Sequence, residues 1–369
     1  MARKRDSKPK RKLIKPIDFI VVGQGLAGSV LALKLIESGN SVMVIDKPDL
    51  SLCSKVAAGI WNPIVFKRLT KSWMIDELLP EMLRFYKQTE INFNIKLITE
   101  RNIVKLFSEQ QEADLWTKKA NGELQDYLDK KIYKSNNYHG INNSEFGFSK
   151  VLRSGNLDVN VFLKAAQNYL IQKESLLNEI FNYSELQITD DISYKNVKAK
   201  NIIFADGYLI KNNPFFKYIP LKPAKGETIT IENQELEIGK DIINKNSFLM
   251  HLKDNAYKLG ATYNWDDLND TISDSGLKEL ESKMNKIIIP AVGTKSKIVE
   301  QQAGVRPSVI DRRPILGRHP EHQNLYIFNG MGTKGVMLAP YFAQKLINYI
   351  KFNEPLNEEV NVVRFTMNK

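Results

Sequence analysis

The segment Asp18–Asp46, D-F-I-V-V-G-Q-G-L-A-G-S-V-L-A-L-K-L-I-E-S-G-N-S-V-M-V-I-D, constrains this chain more than any other. The apolar run Phe19 to Val22 reads as a strand buried on both faces, the habit of parallel sheets. Gly23, Gln24 and Gly25 turn the chain tightly. Ala27, Gly28 and Ser29 then open a helix whose apolar face continues through Val30, Leu31, Leu33, Leu35 and Ile36, and Gly39 and Asn40 stop it. Val42 to Ile45 is a second strand with Asp46 at its end. The result is G-x-G-x-x-G inside a complete βαβ unit, closed by an acid. Side chains at positions 23 and 25 would keep a pyrophosphate off the backbone, and Gly28 lets helix and strand pack closely. The helix N-terminus presents unpaired N–H groups and partial positive charge, while Asp46 can accept from both hydroxyls of a ribose. The unit predicts dinucleotide binding.

The 369 residues are 43% hydrophobic, enough for a substantial core divided over two or three domains, or two interleaved ones. A single cysteine, Cys53, excludes a disulfide within the chain and a cysteine-based zinc site. The histidines His139, His251, His319 and His322 lack metal-ligand spacing, so no metal is expected. Much of the net charge of +11 precedes Pro16, where Arg3, Lys4, Arg5, Lys8, Lys10, Arg11, Lys12 and Lys15 face Asp6 alone. Residues 1–15 are expected to be a disordered basic tail, either a solvating arm or an electrostatic contact for RNA or an acidic surface. The apolar run after it contains Asp18, Gln24 and three glycines, unlike a secretory signal, and no other run is long enough to span a bilayer. The expectation is a soluble cytoplasmic protein.

Along the chain, the loop after Asp46 carries small residues at Ala57, Ala58 and Gly59, where backbone can lie against a flat ligand. Helices are expected over about 72–88 and 110–119, with short strands at 95–98 and 103–107. Asp158 is a candidate N-cap for a helix over 159–170. The apolar strand N-I-I-F ends in Ala205, Asp206 and Gly207, a second sharp turn at a buried strand end. Alternation in E-T-I-T-I-E, N-S-F-L-M-H-L and A-Y-K-L-G-A-T-Y predicts an antiparallel sheet. A helix over 276–288 follows. The C-terminal part runs A-G-V-R-P-S-V-I-D-R-R-P-I-L-G, then a strand, N-L-Y-I-F, then the turn N-G-M-G-T-K-G-V, then a helix to about residue 350.

Taken in that order, the fingerprint, S-K-V-A-A-G, L-D-x-N, A-D-G, G-A-T, A-G-V-R-P…D-R-R-P-I-L-G and the Gly-rich turn resemble the D-amino-acid oxidase superfamily of FAD enzymes. The similarity is greatest to glycine oxidase and sarcosine oxidase, and covers Asp18 to about Ile350. The resemblance implies an α/β protein: a Rossmann-like FAD-binding domain interleaved with an antiparallel-sheet α+β substrate domain. It implies a discontinuous FAD domain over 16–75, 150–220 and 300–352, a substrate domain over 76–149 and 221–299, and a C-terminal extension over 353–369. It also implies that Gly23, Gln24, Gly25, Leu26, Ala27 and Gly28 cradle the pyrophosphate, with Asp46 and Lys47 at the adenosine ribose. Ser54, Lys55, Ala57, Ala58 and Gly59 would lie along the pyrophosphate and isoalloxazine. The turn Ala205, Asp206 and Gly207 would join the cofactor site. Gly330, Met331, Gly332, Thr333, Lys334, Gly335 and Val336 would meet the pyrimidine edge of the flavin. A Gly-rich turn feeding a helix suits that place, because reduced flavin carries negative charge there. Lys334 is expected to add positive charge.

Arg306 matches the family arginine that grips a substrate carboxylate, and its planar fork suits bidentate binding over the flavin. With Trp61 and His251 it forms the candidate catalytic set. Bulky Ile60, Trp61 and Asn62, and His251 where relatives often have proline, depart from the family pattern and are expected to alter the pocket. Neither Cys53 nor His251 falls in a covalent-attachment motif, so FAD without a covalent bond is expected, and Cys53 is expected to be an inert loop thiol. The activity implied is oxidation of the C–N bond of an amino acid or N-substituted amino acid by hydride transfer to flavin. Alternatives are a tRNA-modifying flavoenzyme acting on a carboxymethylaminomethyl uridine, favoured by the tail and by Lys67, Arg68 and Lys71, or a non-catalytic FAD-binding protein.

Overall fold

The computed structural model of the protein describes residues 16–47, 53–135 and 137–365. The basic tail lies outside the described residues. The first βαβ unit forms as the sequence predicts: β1 (Ile17–Val22), α1 (Leu26–Glu37) and β2 (Val42–Asp46), with β1 and β2 parallel. β1 also pairs in parallel with the strand Val197–Phe204, which places Val22 beside Phe204 and Ile45. Leu176–Asn178 extends the sheet beyond β2, and Leu325–Asn329 extends it beyond the second half of Val197–Phe204. The strand ends bearing Gly23, Asp46, Ala205 and Asn329 therefore collect at one sheet edge, where doubly wound folds bind ligands.

The apolar run of β1 is continuous because both sheet faces are covered. Phe19 and Val21 join the core under α1 and the helices Ile75–Phe93, Val159–Gln172 and Gly335–Phe352. Ile20 and Val22 join a second core with Phe204, Phe216 and Ile327. Asp158 caps the helix Val159–Gln172 as expected, accepting from the Val161 N–H at 3.0 Å. The C-terminal residues are part of this body: Val360 and Val362 are buried, and the Leu316 N–H donates to the Val360 carbonyl at 2.8 Å.

A seven-stranded second sheet forms the other layer. It is mostly antiparallel; only Ile103–Leu106 and Ile242–Asn244 pair in parallel. One face, with Ile229, Ile231, Leu249 and Leu259, packs on Leu280, Met284 and Ile287 of the helix Asp274–Ile287. The opposite face, with Gly226, Thr228, Phe248 and Gly260, roofs the central cavity. The strand Lys297–Arg306 belongs to this sheet, pairing along Ala224–Glu232. The expected domain boundary at residue 300 thus moves to the end of that strand, because its backbone partners all lie in the second sheet.

Candidate active site

Between the edge of the first sheet and the open face of the second lies a cavity of about 910 Å³. From the fingerprint, Gly23, Gly25, Leu26 and Ala27 line it. Gly23 has φ +102°, and a methyl group there would meet the Ala205 carbonyl oxygen at 2.6 Å. Gly28 sits beneath the turn, where a methyl group would come within 1.9 Å of the Gly23 oxygen. The turn is thus glycine by necessity, and it leaves backbone facing the cavity. Gln24 does not line the cavity. Its amide donates to Ser29 Oγ at 3.2 Å and to the Leu163 carbonyl at 3.1 Å, tying the turn to a neighbouring helix.

Ser54, Ala57, Ala58 and Gly59 form a further wall, and Ser54 Oγ accepts from the Leu26 N–H at 3.1 Å. Lys47 also lines the cavity, whereas Lys55 does not. Asp46 lines it with one carboxylate oxygen, Oδ2, buried and lacking a hydrogen-bond partner among the described residues. Burial raises the Asp46 pKa to about 6, against the pull of the Gln24 backbone N–H and Lys55. Asp206 lines the cavity beside Ala205 and Gly207. It accepts from the Tyr183 hydroxyl and from Asn329 Nδ2, each at 3.2 Å, and burial raises its pKa to about 7. These two partners, Tyr183 and Asn329, were not anticipated from sequence.

Met331, Gly332, Thr333, Gly335 and Val336 bring the second Gly-rich turn to the same cavity. The helix Gly335–Phe352 has no acid in its first turn and no cap from its own N-cap side chain; α1 likewise has no acid there, and of its first-turn N–H groups Leu26 is taken by Ser54 Oγ. Both N-termini therefore keep their positive ends for a ligand. Two residues of this turn fall elsewhere than expected. Gly330 packs under Ile315 and Val309. Lys334 points away: its Nζ donates to Ser72 Oγ at 3.0 Å, and burial, with Arg313 nearby, lowers its pKa. The expectation that Lys334 charges the flavin site is corrected, because its side chain is used in packing the helix against residue 72.

On the substrate side, Arg306 lines the cavity at the end of its strand. Nη1 donates to the Lys225 and Thr262 carbonyls at 3.3 Å each, and Nη2 to Thr262 at 3.4 Å. The Tyr263 ring lies 4.3 Å from the guanidinium carbon. A methyl group at Gly226 would fall 1.9 Å from Nη2, so glycine leaves room for the guanidinium to cross the strand where a larger residue would displace it. No carboxylate partners Arg306 among the described residues.

The other two candidates for catalysis are not at the cavity wall. Trp61 is 1% exposed and its indole N–H donates to the Arg153 carbonyl at 3.0 Å, so its bulk fills core. His251 closes a turn, with Nε2 2.7 Å from the Asp254 carbonyl oxygen. Both are corrected from pocket residues to structural ones. Cys53, expected in an inert loop, instead lines the cavity on the short helix Cys53–Val56; burial raises its thiol pKa, opposed by Arg306. Phe248, Ile242 and Tyr263, which also line the cavity, were missed. The alternation around Phe248 gave a face but not what that face would meet.

These residues fit an FAD: a pyrophosphate cradle in glycine backbone, a buried carboxylate oxygen without a partner among the described residues for a ribose, and two helix N-termini with no acid in their first turns. No helix among the described residues is long and apolar enough to cross a membrane. The chain is similar to a glycine oxidase of Bacillus licheniformis, 24% identical over 374 residues, covering 95% of this chain and 97% of that protein. It is similar to the tRNA 5-methylaminomethyl-2-thiouridine biosynthesis bifunctional protein of Acinetobacter baylyi, 23% identical, over 90% of this chain and 52% of that protein. The crystal structure of a glycine oxidase from Bacillus cereus shares the fold, with a TM-score of 0.75 and 19% identity over 92% of this chain and 96% of that one. The family model described as FAD dependent oxidoreductase matches residues 18–349, and the chain belongs to that family of FAD-dependent enzymes.

Proposed function

We propose that the protein oxidises the C–N bond of an amino acid or N-substituted amino acid held by its carboxylate on Arg306. The observation that carries this reading is a guanidinium in the cavity wall that has no carboxylate partner among the described residues and is held there by carbonyls and an aromatic ring. Such a cation gains most from an anion that fills its planar fork. FAD, held without a covalent bond, supplies the hydride acceptor. The protein's own part is to orient the substrate through two parallel hydrogen bonds and to exclude water with Phe248, Ile242 and Tyr263. No side chain is assigned as general base, because a neutral amine needs positioning rather than deprotonation at carbon.

Removing Arg306 tests the reading. Arg306→Ala should cost about 2–5 kcal/mol of binding of a carboxylate substrate, and Arg306→Lys should recover part of it. Steady-state kinetics with a carboxylate substrate and its neutral amide should show a strong preference for the carboxylate in wild type and little in Arg306→Ala. Flavin content should not change. An unchanged preference would place the anchor elsewhere. A second reading, oxidation of a carboxymethylaminomethyl group on tRNA, draws on the similarity to the Acinetobacter protein, about half of whose length the match spans. It uses the same chemistry, since that group is itself an N-substituted glycine.

A further inference from the structure

We infer that Lys225 is a positioning residue for Arg306, locking the segment between Gly260 and Asp274 over the guanidinium. The inference rests on the reading of Arg306 as the carboxylate anchor. That segment has no helix or strand of its own, yet it places Tyr263, Leu268, Asn269 and Asp270 in the cavity wall. It supplies the Thr262 carbonyl that holds both terminal nitrogens of Arg306, and the Tyr263 ring that faces the guanidinium. The orientation of the anchor therefore depends on where this segment lies.

Lys225 fixes it at three points. Its backbone N–H and carbonyl exchange hydrogen bonds with Asn264 at 2.8 and 3.0 Å. Its Nζ, on a side chain 1% exposed, reaches Asp267 Oδ2 at 2.7 Å and Asn269 Oδ1 at 2.9 Å. Its carbonyl also accepts from Arg306 Nη1 at 3.3 Å, so one residue touches both the anchor and its cover. A buried ammonium with two oxygen partners holds geometry firmly, because letting go would leave the charge unsolvated. Asp267 is 40% exposed at its side chain and can turn to water if the lysine is removed. Glu227, 3.8 Å from Nζ, keeps its bonds from Ser273 and Gln301. Lys225→Met keeps the apolar stem but removes the cation beside Glu227, whose side chain is 4% exposed, so Asp267→Asn is the milder probe of the same lock.

The test is a double-mutant cycle on flavin-loaded protein, reading KM and kcat for a carboxylate substrate and its amide. Lys225→Met should raise KM for the carboxylate about tenfold, change kcat less than about twofold, and leave the flavin spectrum and content as in wild type. In the Arg306→Ala background the same change should alter KM by less than about twofold, because there is no guanidinium left to position. Asp267→Asn weakens the same lock from its exposed end and should raise KM in the same direction by less; it decides the matter if Lys225→Met does not fold. Additive effects in the cycle, or an unchanged carboxylate KM in both lock variants while Arg306→Ala loses its preference, would overturn the role of Lys225 and leave Arg306 as the anchor. A carboxylate preference unchanged in Arg306→Ala would overturn both readings.

Discussion

Asp206→Asn should make the protein more stable at neutral pH and remove a pH dependence. Asp206 sits at the end of a buried strand, and burial raises its pKa from 3.8 to about 7. The folded state therefore holds a proton on this group that the unfolded chain has already lost between those two values. With more protons bound in the folded state, stability falls as pH rises through that window, and the whole loss is present above about pH 7. The difference between the two pKa values corresponds to at most ~4 kcal/mol. Asparagine can satisfy the same partners. Asn329 is fixed by donating to the Gly207 carbonyl at 3.0 Å and accepting from the Gly330 N–H at 2.8 Å, so its Nδ2 must be met by an oxygen. The carboxamide oxygen of the variant meets it, and the carboxamide N–H groups turn to the Tyr183 oxygen. Urea denaturation of wild type and variant at the same flavin concentration, from pH 4.5 to 8, measures the difference directly. The variant's advantage should grow by ~2–4 kcal/mol across that range. A difference constant with pH would show that Asp206 ionises normally and would refute the reasoning.

Gly28→Ala, whose methyl group would lie 1.9 Å from the Gly23 oxygen, should displace the first turn and yield protein with little FAD, whereas denaturing wild type should release all its FAD into solution. FAD remaining on the denatured chain would instead point to a bond at Cys53, which lines the cavity. Deleting residues 1–15 should leave flavin content and small-substrate turnover intact. If RNA is the substrate, that deletion should weaken RNA binding and flatten its salt dependence, and wild type purified without RNase should carry nucleic-acid absorbance.

The first βαβ unit was legible because its signals are local: an apolar run covered on both faces, a glycine turn set by close approach, and an acid at the next strand end. Asp158 was legible for the same reason, as a cap bonded three residues onward. What escaped was long-range. Lys297–Arg306 shows no apolar–polar alternation, and only its pairing with residues 224–232 makes it a strand of the second sheet. Trp61 and Lys334 carry chemistry-bearing side chains, yet each spends its polar atom on a distant neighbour that sequence does not reveal, Arg153 and Ser72. Gly226 did leave a trace, since a glycine inside an alternating strand marks a close approach. Its meaning, room for the Arg306 guanidinium, required the partner strand.

The central claim is that one cavity holds FAD and, on Arg306, the carboxylate of an amine substrate. Anaerobic mixing of the flavin-loaded protein with matched pairs of compounds tests it most directly: amino acids and N-alkyl amino acids against the same amines lacking the carboxylate. The flavin absorbance band should be lost with one or more carboxylate-bearing amines and with none of their decarboxylated partners. Bleaching by the amines without a carboxylate, or by none of the compounds, would contradict the claim.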